Sequence, residues 1–85
     1  MKWNTQHKVR LQLNNHKEQY LNIRDILRQQ HADFLEEIKR AQEKEDYTTL
    51  KIVLAKMSDI GSELKLVNRK INMIDHKLSM LSKGQ

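Results

Sequence analysis

The sequence predicts an all-α antiparallel hairpin of coiled-coil type, and three observations carry the prediction. Apolar residues from Leu50 onward recur at alternating spacings of three and four. Helix breakers are almost absent, with no proline and two glycines in the chain. The pattern is interrupted at one short acidic stretch near the middle, QEKEDYTT (Gln42 to Thr49). Charged residues at 32% and aromatic residues at 5% fit a helix-rich chain better than a sheet protein. Disorder is disfavoured because the apolar residues are periodic instead of scattered.

The second half is the clearer element. With Leu50 at heptad position a, the a row is Leu50, Met57, Leu64, Ile71 and Leu78, and the d row is Val53, Ile60, Val67, Ile74 and Leu81. A seam held without a miss from Leu50 to Leu81 calls for a partner helix. Helix 2 is therefore expected from about 47 to 82.

The first half phases less cleanly. Leu13, Tyr20, Leu27, Phe34 and Ala41 recur every seven residues, and Val9 and Ile23 suggest the companion row, whose other members His16, Gln30 and Glu37 are polar. An ideal helix drifts about 20° per heptad against a strict 3.5-residue repeat, so Ile38 is expected to turn inward near the end and release Glu37. Helix 1 is expected from about 5 to 42, with no proline or glycine inside it.

The acidic stretch, about 42 to 46, then forms the turn. Asp46 is the expected N-cap of helix 2, because its carboxylate can accept a hydrogen bond from the next turn's free amides, with Thr48 as the alternative. Two segments of near-equal length joined by a short connection favour antiparallel packing in a single domain spanning 1 to 85. Pairing positions whose numbers sum to 87 sets Leu27 against Ile60 and Tyr20 against Val67. It also sets Ile23 against Leu64 and His16 against Ile71.

Gly61, inside SDIGSELK, raises the competing architecture of a three-helix bundle broken at that point. The heptad phase runs through it unchanged, which favours one continuous helix with a notch at Gly61 where another helix can approach.

A chain of 85 residues buries a modest share of its surface, and with no cysteine it has neither disulfides nor cysteine-based zinc to staple it. Helix 2 carries a second stripe, Ile52, Leu66, Met73 and Met80, all at position c and separated from the d row by Lys56, Glu63, Lys70 and Lys77. Helix 1 adds Leu11, Leu21, Ile26 and Leu35 off its main seam. One partner helix cannot cover both stripes, and aligned exposed aliphatics mark an interface unless lysine stems cover them. The expectation is a homodimer forming a four-helix bundle, or a hairpin that lays one face on another protein. The expected contact residues are Leu66, Met73, Met80, Ile52, Gly61 and Trp3. Trp3 is read either as an anchor or as a residue folding back on the bundle end.

The net charge of +5 is polarised. Lys2, Lys8, Arg10 and Lys17 face no acid within the first seventeen residues. From Lys65 onward, Lys65, Arg69, Lys70, Lys77 and Lys83 oppose Asp75 alone. A hairpin gathers both basic ends at one pole and leaves the acidic turn at the other. Such a pole suits phosphate backbones, anionic lipid or an acidic protein surface. Lys2, Lys8, Arg10, Lys17, Arg69, Lys70 and Lys77 are the candidate phosphate contacts, without sequence specificity.

No catalytic pattern emerges. The four histidines lack an i, i+4 pair, and the serines lack a paired base. His16 in the predicted seam is read either as a register-setting polar group or as a solvent-reaching edge residue. No metal or cofactor is expected, and the chain is read as a non-enzyme. The start lacks the apolar core of a signal peptide and no window reaches the length of a membrane span, so a cytoplasmic location is expected. The functional expectation is a small protein-binding module, an adaptor, chaperone, regulator or inhibitor. A basic dimeric nucleic-acid-binding protein is the alternative.

Overall fold

A computed structural model describes the backbone of residues 2–83 and the side chains of residues 5–82. The chain forms two α-helices, α1 over Lys2–Glu43 and α2 over Tyr47–Lys83, which pack against each other as a hairpin. At 1.5 Å per residue a helix of this length spans about 60 Å, and the molecule measures 65 × 14 × 14 Å. Its radius of gyration is 19.1 Å, against about 12 Å for a compact domain of this length. It is a rod two helices wide.

The reversal is built by a Schellman closure fused to an N-cap. Glu45 adopts φ 54°, the left-handed conformation that ends a helix. Its amide donates to the Gln42 carbonyl at 3.1 Å, and the Asp46 amide donates to the Ala41 carbonyl at 2.9 Å. Asp46 then starts α2. Its carbonyl accepts the Leu50 amide at 3.1 Å, and its Oδ1 accepts the Thr49 amide at 3.2 Å. The expected cap is thus the observed one, whereas Thr48 is exposed within α2. The turn sits at residues 44–46, the later part of the expected 42 to 46.

The α2 seam is the one its periodicity predicts. Val53, Val67, Ile71 and Ile74 are buried, Val53 most of all at 3% exposure, and Leu50, Met57, Ile60, Leu64, Leu78 and Leu81 are half-buried between them. SDIGSELK lies wholly inside α2, so the three-helix alternative is excluded. Ser62 Oγ donates to the Ser58 carbonyl one turn back at 3.2 Å. Gly61 has no positive φ, and a Cβ built on it meets nothing within 4 Å. No close approach within the hairpin uses it.

The α1 seam differs from the expectation in one row. Leu27 and Ala41 are buried, and Leu13, Tyr20 and Phe34 half-buried. The companion row is Arg10, Lys17, Arg24, His31 and Ile38, all half-buried, while Val9, His16, Ile23, Gln30 and Glu37 are exposed. The turn explains the choice. Ala41 must face inward to close it and Ile38 comes with it; the heptad then carries that phase down the rod. Long basic stems cover the aliphatic row of α2 and keep their charged heads in water.

The pairing shifts accordingly. Lys17 Nζ meets Asp75 Oδ1 at 2.6 Å, and Val9 and Leu13 line one groove with Lys77 and Leu81. The ion pair sums to 92, and setting the inward rows of the two helices against each other gives 91 instead of 87, with the groove spanning either value. This sets Tyr20 level with Ile71 and Leu27 level with Leu64, the residues of the central cluster around Leu27, Val67 and Ile71.

Candidate interaction surface

The rod leaves more large apolar residues outside than it buries. Among the described residues, six hydrophobic ones form the core, while eleven large ones stand 38–71% exposed. Two neighbouring helices can shield only the a and d rows and part of the flanking e and g rows, so any apolar residue at b, c or f faces outward. The accessible surface is 6910 Å². A compact monomer of this mass exposes about 5,300 Å².

With the observed α1 seam lettered so that Leu13, Tyr20 and Leu27 are d and Lys17, Arg24 and Ile38 are a, the rows beyond d in both helices are g and then c, and in an antiparallel pair the two g rows open on the same side. The groove lined by Gln6, Val9, Leu13, Lys77, Met80 and Leu81 shows this directly, joining Val9 of α1 to Lys77 of α2. It is a shallow, mainly apolar trough of about 460 Å³ at the end of the hairpin away from the turn. Seven of the eleven exposed residues belong to this side: Val9, Ile23 and Ile26 from α1, and Ile52, Leu66, Met73 and Met80 from α2. The remaining four, Leu11, Leu35, Tyr47 and Leu54, occupy the opposite rows.

The expected c stripe is therefore solvent-facing along its length, with Ile52, Leu66, Met73 and Met80 each 52–58% exposed. Gly61 belongs to the opposite side, in the e row, and is half-buried. The expected roles of Trp3 and Lys2 lie outside the described side chains.

The basic pole is gathered as the hairpin requires, with its members in different settings. Lys8, Arg69, Lys70 and Lys77 are exposed, and Arg10 is half-buried. Lys17 is engaged by Asp75, the acid that opposed the second basic cluster. A pair this exposed stabilises by roughly 0.2–1 kcal/mol; its larger effect is to remove one cation and one acid from the pole's reach. Arg24 contacts its neighbour Asp25 at 3.3 Å.

Sequence reasoning missed Lys17, Arg24 and His31 as inward residues because it sought aliphatic companions for the Leu13 row. The available signal was Ile38, which stands at heptad intervals from His31, Arg24 and Lys17. His16 is exposed, so its reading as a buried register-setting group does not hold.

At the acidic tip, hydrogen bonds from the Thr49 hydroxyl and then the Thr49 amide hold the Asp46 carboxyl below the usual aspartate value. A polar depression beside it is lined by Glu37, Arg40, Lys44 and Thr49 among others. Among the described residues no group of three or more His, Cys, Asp or Glu could hold a metal ion, and no helix is long and apolar enough to cross a membrane. The chain matches no family model, no curated protein and no solved structure.

Proposed function

We propose that this protein is a small non-enzymatic binding module that works by self-association and by laying a helical face on another protein, as an adaptor, chaperone or inhibitor does. The observation that carries the reading is the stripe of Ile52, Leu66, Met73 and Met80, together with Val9, Ile23 and Ile26 on the same side of the rod. Fully burying an aliphatic side chain contributes roughly 1.5–3 kcal/mol, so half-burying seven of them is comparable with the whole stability of a small domain. Methionines at two of the four stripe positions suit an adaptable surface, because an unbranched thioether fills irregular gaps. Occlusion or bridging of a partner is the mechanism such a rod supports.

A second reading is favoured by the exposed cations Lys8, Arg69, Lys70 and Lys77 at one pole: a basic dimer touching phosphate backbones without sequence specificity. Its signature is a binding constant that falls steeply with salt.

Mass determination in solution, across protein and salt concentration, separates the two. The first reading expects species above the 10.2 kDa chain mass that persist in salt and revert to monomer in Leu66→Glu or Met73→Glu with helicity intact. A dimer that Leu66→Glu and Met73→Glu leave intact, and that DNA or RNA retains only at low salt, would transfer the case to the second.

A further inference from the structure

We propose that the face carrying Leu66 receives a second copy of this chain turned end for end, with α2 of one copy antiparallel to α2 of the other and Leu66 at the two-fold axis. This rests on the self-association part of the reading above and adds to it the face, the direction and the centre.

The order of charges along the face argues for the direction. Before Leu66 come Asp59 and Glu63, after it Lys70 and Lys77, all four exposed. Reversing a second copy about Leu66 sets each residue level, to within one residue, with the one as far beyond the axis. Glu63 then meets Lys70, Ile52 meets Met80 and Leu66 meets its own counterpart, and symmetry makes each unlike contact twice. Asp59 falls against Met73, within a turn of both lysines. Lys56 and Lys77 are the one like-charged approach on α2, with Asp59 one turn away. A copy lying in the same direction would superpose Lys70 on Lys70, and would also stack the two basic poles. End for end, each basic pole lies beside the acidic tip of the other copy.

The apolar residues agree on the centre. In the observed pairing of α1 with α2, Ile23 and Ile26 stand level with Leu66, so the axis crosses the broadest apolar part of the face. The area agrees on the size. The accessible surface of 6910 Å² exceeds that of a compact monomer by about 1,600 Å². Removing this excess from both copies would bury roughly 3,200 Å², within the range of stable homodimer interfaces.

The chain has no cysteine, so single-site labels test the geometry cleanly. With spin labels on Ser82→Cys, the two labels of a dimer should lie about 50 Å apart, and on Ser62→Cys within about 25 Å, from a rise of 1.5 Å per residue. Glu63→Lys alone and Lys70→Glu alone should each weaken dimerisation roughly tenfold, through two symmetry-related pairs. The double variant should recover most of that loss. Ser82 labels within about 20 Å of each other, or single reversals without effect on a dimer that still forms, would overturn this arrangement while leaving self-association standing. A chain monomeric at every concentration would remove both.

Discussion

Glu45 occupies the one position where the chain must turn left-handed, and it is not glycine. A side chain at φ 54° places its Cβ against the following carbonyl at a cost of about 1–2 kcal/mol, which glycine avoids. Part of that gain is returned as chain entropy in the unfolded state. Glu45→Gly is therefore expected to stabilise the hairpin by about 1 kcal/mol, read from urea unfolding at unchanged m-value. Destabilisation would mean that the acidic side chain does more than tolerate the turn. The adjacent Asp46 carries a pH dependence. Its carboxyl is held below the usual value by Thr49, so its charged form favours the folded state. The contribution is complete above the ordinary unfolded-chain value and is lost as pH falls through the lowered folded value. Between about pH 5 and pH 2 the thermal midpoint of the wild type should fall more steeply than that of Asp46→Asn. Equal slopes would show that the cap hydrogen bonds do not depend on the charge.

The two helices divide the work unequally. α2 supplies an aliphatic seam over its whole length, and α1 answers it with aliphatic and aromatic residues in one row and mostly basic stems in the other. Such a seam is kept in register by the turn and by the aliphatic row, with the Lys17–Asp75 pair as a modest addition. Gly61 is the weak point of α2. It lowers helix propensity by roughly 1 kcal/mol relative to alanine, and within the hairpin no atom opposes an added methyl. Gly61→Ala should raise stability by about 1 kcal/mol without changing the oligomeric state, because the proposed dimer face lies on the other side of the rod. Dissociation of the assembly by this substitution would show that a second chain approaches along the Gly61 side instead.

Across the whole molecule, shape and charge set what the rod can do. A rod 65 Å long and 14 Å wide has too little interior to bury the apolar residues it carries. The surplus is arranged mainly along one side and not scattered. If that side is covered by a second copy, the thermal midpoint must rise with protein concentration, as mass action requires of any chain whose folded form associates. Leu66→Glu should abolish the concentration dependence and leave the midpoint of the monomer. A midpoint independent of concentration in the wild type would argue against a covered face.

Much of this was legible in the amino-acid order. The α2 seam, the continuity through SDIGSELK, the Asp46 cap, the exposed c stripe and the gathering of both basic ends at one pole all follow from periodicity and local chemistry. A seam of aliphatic residues at three and four spacing has one helical face on which to lie, and a hairpin then has one end for both termini. Only the tertiary structure decided which row of α1 joins Leu13, Tyr20 and Leu27 in the seam, and with it the pairing between the helices. Two rows flank that line, one with Val9 and Ile23 and one with Lys17, Arg24 and Ile38, and hydropathy ranks them the wrong way. The geometry of the turn at Ala41 to Asp46 sets the rotation of α1, and a basic stem can cover an aliphatic partner while its charge stays in water.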